Sequence, residues 1–174
     1  MDFSLLGPTA GPATDEDLTT LEHQLGRVPR GVVGVAARCV CGRPLVVITK
    51  PRLDDGTPFP TTFYLTSPEL TKACSRMEAD LEMDEFNDRL AEDHSFQATY
   101  RRAHEDYLQR RAVLGEVAEI SGISAGGMPM RVKCLHAVVG HSLAAGPGVN
   151  PIGDEALERI SARGWWSAET CTCH

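Results

Sequence analysis

The spacing of apolar residues along the chain changes from strand-like to helix-like near residue 68. Three short runs rich in β-branched and aromatic residues come first, and turn residues separate them. We interpret these runs as strands over residues 32–40, 45–49 and 61–66. Their short connections favour antiparallel pairing, because parallel strands need a long crossover.

Apolar residues at three- and four-residue intervals predict helices in most of the remaining chain. One short helix is predicted over residues 17–25. Another begins after Ser67, an N-cap residue type that is followed by Pro68 at the first helical position. The most regular apolar stripe predicts a long helix over residues 95–115. Further helices are expected over residues 84–90, 130–144 and 154–162.

A block of strands followed by a block of helices indicates the α+β class. We expect a small antiparallel sheet of about three strands packed against a bundle of four to six helices. The 174 residues fit one domain. We predict a flexible N-terminal tail over residues 1–16, the domain over 17–163, and a C-terminal tail over 164–174.

The charge of the chain excludes some classes of function. With 17 basic and 24 acidic side chains, the formal net charge is −7, and a general nucleic-acid binder would instead be basic. No apolar run approaches the ~18 residues of a membrane span. The first residues lack the basic start of a signal peptide. We therefore expect a cytoplasmic protein whose cysteines are reduced thiols.

The acidic residues are unevenly distributed. Residues 23–53 and 120–153 contain none, whereas residues 78–93 carry eight acids against one arginine. We interpret the acidic run as a solvated helix face. The two acid-free stretches contain several residues of metal-binding type, so the candidate site is expected there.

Cys134, His136 and His141 form the strongest group of candidate metal ligands. On one regular helix His136 would lie ~200° around from Cys134, so the three side chains cannot all reach one ion. Either the helix begins after Cys134, or only two of the three converge. Zinc favours four thiolate or imidazole ligands. We predict a Zn²⁺ site made by Cys39, Cys134, His136 and His141, with Cys41 as a further possibility for ligation. In the alternative interpretation, Cys134 is a small buried apolar residue and the histidines are structural.

The glycine-rich loop over residues 121–129 is a candidate anion-binding site. Amides of Gly126 and Gly127 near a helix N-terminus, with Arg131 and Lys133 beside them, would suit a phosphate or a carboxylate. The Walker pattern is absent. The alternative is a plain loop between helices.

Cysteine catalysis is a third possibility. A thiol at a helix N-terminus near Lys133 would favour its thiolate form. Cys134 would then be the nucleophile, with His136 or His141 as its base. The sequence identifies no third residue that orients the base.

The last residues contain further metal-binding side chains and two tryptophans. Residues 171–174 read Cys-Thr-Cys-His, but this segment is terminal, so we expect it to be mobile and leave it out of the zinc set. Trp165 and Trp166 are expected either to anchor the last helix to the core or to form an exposed patch for a partner.

Four segments together resemble a known family. They are residues 31–50, 51–61 (Pro-Arg-Leu-Asp-Asp-Gly-Thr-Pro-Phe-Pro-Thr), 124–136 (ending Arg-Val-Lys-Cys-Leu-His) and 146–154. The chain resembles domain-of-unknown-function family 501, which is widespread in actinobacteria, over residues 18–160.

The resemblance implies a site rather than an activity. It implies that the family retains the positions of Cys39, Cys134, His136, His141 and Asn150-Pro151, and that Cys41 is a doubtful ligand. Genes of the family often neighbour those for a septum-formation initiator, enolase and an exopolyphosphatase. The resemblance therefore implies a context of cell division or envelope processes.

Two functional hypotheses follow. The first is a small cytoplasmic zinc-binding module with a regulatory or interaction role and an unknown protein partner. The second is a metal- or cysteine-dependent hydrolase or sensor that acts on a small phosphate- or carboxylate-bearing molecule.

Overall fold

The computed structural model describes residues 1–173, which form four strands and six α-helices. The strands are β1 (Gly11–Pro12), β2 (Val32–Arg38), β3 (Pro44–Thr49) and β4 (Phe63–Leu65). The helices are α1 (Asp15–Leu25), α2 (Pro68–Ala79), α3 (Glu82–Glu92), α4 (His94–Ala112), α5 (Leu135–Ala145) and α6 (Pro151–Ala162). The predicted α+β class is confirmed.

The sheet is antiparallel throughout, with strand order β1-β2-β3-β4. The three predicted strands are present, and the fourth is β1. This short strand lies within residues 1–16, where we predicted a tail, and its Gly11 pairs with Val35 of β2. Leu6 in the same segment is completely buried. A pattern of two strand residues is too short to be recognised in a sequence.

The helix boundaries follow the expected capping chemistry. The side chain of Ser67 accepts a hydrogen bond from the amide of Leu70, with Pro68 at the first helical position. Thr14 and Asp17 form a reciprocal capping box at the start of α1. The predicted helix over 130–144 is wrong at its start, because α5 begins at Leu135 and Cys134 is its extended N-cap.

Helix α5 lies at the centre of the core. It is buried on almost every side and packs against β4, α2 and α6. Glycines allow the closest approaches: a Cβ atom at Gly140 would lie 2.8 Å from the carbonyl oxygen of Phe63, and one at Gly153 of α6 would lie 2.2 Å from that of Val138. On the other face of the sheet, Leu21 of α1 packs against Val35 and Val47. No helix among the described residues is long and apolar enough to cross a membrane.

The C-terminal segment after α6 packs back onto the domain. Trp166 is buried, and Cys171 and Cys173 contact the main hydrophobic core. The guanidinium groups of Arg76 and Arg163 stack on the ring of Trp165, at 5.2 and 4.9 Å from its centroid. Of the two expectations for the tryptophans, the structure supports the anchoring role.

Candidate metal centres

Four cysteines converge at the β2–β3 turn. The sulfur atoms of Cys39, Cys41, Cys171 and Cys173 all lie within 4.8 Å of one another, and we call this group the four-cysteine cluster. In a tetrahedral zinc–thiolate site the sulfurs would be about 3.8 Å apart, given Zn–S bonds of ~2.3 Å. The four thiols are thus close to a metal-binding geometry and are free of disulfides.

The turn that presents the first two cysteines is tightly hydrogen-bonded. The amide of Cys39 donates to the carbonyl of Arg43 at 2.9 Å, and the amide of Gly42 donates to the carbonyl of Cys39 at 2.8 Å. Gly42 has a φ of +89°, which an L side chain would rarely adopt. The turn therefore directs two cysteines, one buried and one exposed, to the same place.

The second pair of cysteines reaches this turn from the end of the chain. The guanidinium of Arg43 donates to the carbonyl oxygen of Cys173 at 2.7 Å, and this bond connects the turn to the C-terminal segment. His174, the last residue of the same sequence motif, lies outside the described residues.

Within the four-cysteine cluster, the electrostatics favour ionisation of Cys41. Hydrogen bonds from the amide of Arg43 and from the thiol of Cys171 lower the pKa of Cys41 to about 7. Burial, together with the neighbouring Cys39, raises the pKa of Cys173. Without a cation, the four thiols cannot readily ionise together, because repulsion between the thiolates and the loss of solvation both oppose the ionised state. A divalent metal ion would remove that opposition.

The predicted zinc set of Cys39, Cys134, His136 and His141 does not come together. Cys39 joins the four-cysteine cluster, whereas Cys134 and His136 belong to a second group with Glu78. The physical reason is their placement in the fold: Cys39 lies in the β2–β3 turn, whereas Cys134 and His136 lie at the start of α5, beside Glu78 of α2. Cys41, which the sequence offered only as a further possibility, lies in the four-cysteine cluster.

His141 is occupied by structural contacts. Its side chain is fully buried; Nε2 donates to a carboxylate oxygen of Asp106 at 2.9 Å, and Nδ1 accepts from the side-chain amide of Asn150 at 3.2 Å. The ring also stacks on Phe63 and meets the edge of Tyr107. Burial lowers the pKa of His141 despite the nearby carboxylate. With both nitrogens hydrogen-bonded, this neutral imidazole has no lone pair free for a metal or a proton.

The second group is formed by Glu78 of α2 with Cys134 and His136 at the start of α5, and we call it the Glu-Cys-His cluster. Its three ligand atoms lie within 4.8 Å of one another. His136 Nδ1 is 3.7 Å from Cys134 Sγ and 3.1 Å from Glu78 Oε1. Because α5 begins after Cys134, this thiol and His136 can face the same point, which a single regular helix would not allow.

Hydrogen bonds bias the protonation of this cluster. Burial raises the pKa of Cys134, but hydrogen bonds from His136 and from the amide of Ala137 outweigh it, so the pKa of the thiol falls below its usual value. The same bond with Cys134 raises the pKa of His136 against the effect of burial. The pair therefore tends toward thiolate and imidazolium.

The predicted anion-binding loop uses its own amides to hold its shape. The amide of Arg131 donates to the carbonyl of Gly127, and the amide of Lys133 donates to that of Gly126. Both glycines have positive φ, and a Cβ atom at Gly127 would lie 2.7 Å from the carbonyl oxygen of Arg131. The glycines thus serve a compact turn, and the loop is separated from α5 by the extended residue Cys134. No contact of the described residues identifies an anion site, which stays a prediction.

Sequence reasoning missed Glu78, Cys171 and Cys173 as members of candidate sites. Glu78 belongs to an acidic run that has the usual pattern of a solvent-exposed helix face, so nothing in the sequence distinguishes it as a ligand. The repeated Cys-x-Cys spacing at residues 39–41 and 171–173 was the available signal for the four-cysteine cluster. Spacing alone does not show that two such motifs, far apart in the chain, meet in the fold.

The fold is thus an α+β domain with two clusters of metal-binding side chains, one of which is closed by the C-terminal segment. A family model described as "Protein of unknown function (DUF501)" matches residues 35–158, and the chain belongs to that family. The matched region contains Cys39, Cys41 and the Glu-Cys-His cluster and ends before Cys171. No curated protein and no solved structure matches the chain.

Proposed function

We propose that the protein is a zinc-binding module in which one ion at the four-cysteine cluster fixes the C-terminal segment to the β2–β3 turn. The observation that carries the proposal is the convergence of four thiols from two distant Cys-x-Cys motifs. Four thiolates are a common ligand set of structural zinc, and they leave no coordination position for a substrate. The role of this ion is therefore structural or regulatory.

A regulatory role is supported by what the C-terminal segment covers and how it is held. Trp166 is only 6% exposed, and the backbone of Cys173 is bound by the side chain of Arg43. Loss of the ion would leave four crowded thiols and weaken the docking of the segment. Undocking would expose the apolar surface around Trp166, which suits a protein partner.

The compartment that suits this site is a reducing one, which we take to be the cytoplasm, because free cysteines are the form that binds metal. We further propose that the partner belongs to cell division or envelope processes. That part of the proposal is supported by the family resemblance alone.

Elemental analysis of untagged protein tests the zinc site. The double variant Cys171→Ser/Cys173→Ser should contain about one zinc ion per chain fewer than the wild type, because a site of four cysteines holds one ion. Thr170→Ser, in the same segment, is the matched control and should keep the wild-type content. An unchanged zinc content in the double variant would refute the proposal.

Limited proteolysis tests the regulatory part. Arg163 marks the start of the segment and forms an ion pair with the nearly buried carboxylate of Glu82. Chelation should speed tryptic cleavage after Arg163 and red-shift the tryptophan fluorescence, and added Zn²⁺ should reverse both. Cleavage that is equally slow with and without chelator would show that the ion does not control docking.

A further inference from the structure

The Glu-Cys-His cluster is a second set of ligand atoms, and it shares no residue with the four-cysteine cluster. We propose that Glu78 Oε1, Cys134 Sγ and His136 Nδ1 bind one divalent transition-metal ion, Zn²⁺ in the first instance, with a fourth position open to water or an added anion. Because the two clusters are separate, a metal ion here does not depend on the zinc proposed above.

Both distances from His136 Nδ1 fit a tetrahedral ion. Bonds of ~2.3 Å to sulfur and ~2.0 Å to nitrogen or oxygen place ligand atoms about 3.5 Å apart for sulfur and nitrogen, and about 3.3 Å apart for nitrogen and oxygen. The observed separations from His136 Nδ1 are 3.7 Å to Cys134 Sγ and 3.1 Å to Glu78 Oε1. Each differs from the ideal by only ~0.2 Å.

The backbone holds a proton on Nε2 of His136. Nε2 lies 3.1 Å from the carbonyl oxygen of Thr71, which can only accept, so this nitrogen carries the proton. A metal ion would displace the proton from Nδ1 alone, and the lone pair freed there faces the other two ligand atoms. Donation from the second ring nitrogen to a backbone carbonyl is the usual support of a metal-binding histidine.

The carboxylate of Glu78 has an equivalent support. The amide of Leu135 donates to Glu78 Oε1 at 2.7 Å. A backbone group of α2 thus positions the imidazole, and a backbone group of α5 positions the carboxylate. Such supports preorganise a site before the ion arrives.

The charge of the cluster calls for a cation. Glu78 and Cys134 are both acidic groups in a half-buried setting, and within the described part of the chain His136 is the only basic side chain in salt-bridge contact with Glu78. A divalent ion would compensate the carboxylate and the thiolate together. It would also leave His136 neutral, as ligation requires.

The open position distinguishes this cluster from the four-cysteine cluster. Three protein ligands plus water are the arrangement of catalytic zinc, whereas four protein ligands close a site. The ion would here be a Lewis acid able to bind an exogenous anion or a carbonyl or phosphoryl oxygen. Its ligand class is therefore small anionic or oxygen-bearing molecules.

Titration with Co²⁺ in the Cys171→Ser/Cys173→Ser background tests the inference apart from the four-cysteine site. We expect about one ion to bind, with a sulfur-to-cobalt charge-transfer band, and we expect azide to change the visible spectrum through the open position. His136→Ala, Glu78→Gln and Cys134→Ser should each weaken binding at least tenfold. His23 is an exposed histidine outside the cluster, so His23→Ala should bind Co²⁺ as tightly as the background protein.

Circular dichroism of each variant shows whether it is folded. If the folded Cys171→Ser/Cys173→Ser protein binds no Co²⁺, the inference is overturned, and Cys134 and His136 form a metal-free thiolate–imidazolium pair. Binding that survives both Cys134→Ser and His136→Ala would also overturn it. Failure of the four-cysteine proposal would look different, because the wild type and the background protein would then bind equally.

Discussion

His136 donates a hydrogen bond from Nε2 to the backbone carbonyl of Thr71 at 3.1 Å. This contact joins the start of α5 to the first turn of α2 and turns Nδ1 toward Cys134 and Glu78. It separates the roles of the two histidines on α5. Nδ1 of His136 lies among ligand-type side chains, whereas both nitrogens of His141 are used in packing the core.

Replacing His141 should therefore cost stability and leave metal binding intact. His141→Ala removes a fully buried ring and leaves the side chains of Asp106 and Asn150 without this partner. We expect a loss of about 3 kcal/mol in the free energy of unfolding, measured by urea denaturation, with an unchanged zinc content. A loss of zinc from a folded His141→Ala protein would indicate that His141 is a zinc ligand, contrary to this account.

Arg43 should tune the affinity of the four-cysteine site. Its guanidinium holds the carbonyl of Cys173 beside the turn, so Arg43→Ala removes an orienting bond without removing a ligand. We expect a roughly tenfold weaker zinc affinity, measured by competition with a chromogenic chelator. Arg27→Ala, at an exposed arginine outside the cluster, is the control, and equal affinities for the two variants would contradict this role.

The ion pair of Asp17 and Arg38 should make stability depend on pH in the acid range. Arg38 binds both carboxylate oxygens of Asp17 at 2.6 and 2.8 Å. This pairing and the capping contacts of Thr14 outweigh burial and lower the pKa of Asp17 to about 2. Since the folded-state pKa is below the unfolded value of 3.8, the stabilisation is present above pH ~4 and is lost as the pH falls toward ~2.

Asp17→Asn tests this linkage. At neutral pH we expect the variant to be less stable than the wild type by about 2 kcal/mol, because a tenfold change in proton affinity corresponds to ~1.4 kcal/mol. The difference should shrink toward zero near pH ~2 in urea denaturation experiments. A difference that stays constant over this range would show that the carboxylate charge is not its source.

The contact between α5 and α6 should tolerate no added methyl group. A Cβ atom at Gly153 would lie 2.2 Å from the carbonyl oxygen of Val138 and 2.7 Å from the hydroxyl of Ser142. Gly153→Ala should therefore lower the free energy of unfolding by about 2 kcal/mol or more. A Cβ atom at Gly11 would meet nothing within 4 Å, so Gly11→Ala is the matched control; similar melting temperatures for both variants would contradict the close packing.

Most of the fold could be predicted because local patterns determine it. The stripe that predicted a helix over 95–115 belongs to α4, which spans His94–Ala112, and its Tyr100 and Tyr107 are completely buried. The start of α5 could not be placed in the same way. Hydrogen bonds from distant residues hold the preceding stretch extended, as when Asn87 accepts from the amide of Val132 at 2.7 Å.

Only some members of the candidate sites could be predicted, because the others come together through tertiary contacts. Cys134 and His136 are neighbours in sequence, so their joint role was visible. Glu78 joins them through the packing of α2 on α5, and Cys171 meets Cys39 through the return of the chain after α6. Such meetings depend on tertiary structure, which residue spacing does not encode.

X-ray absorption at the zinc edge tests the central claim most directly. Zinc-loaded His136→Ala protein should hold its metal at the four-cysteine cluster alone. We predict a first shell of about four sulfur atoms at ~2.3 Å. A shell that contains nitrogen or oxygen ligands, or a folded protein that retains no zinc, would contradict the four-cysteine site.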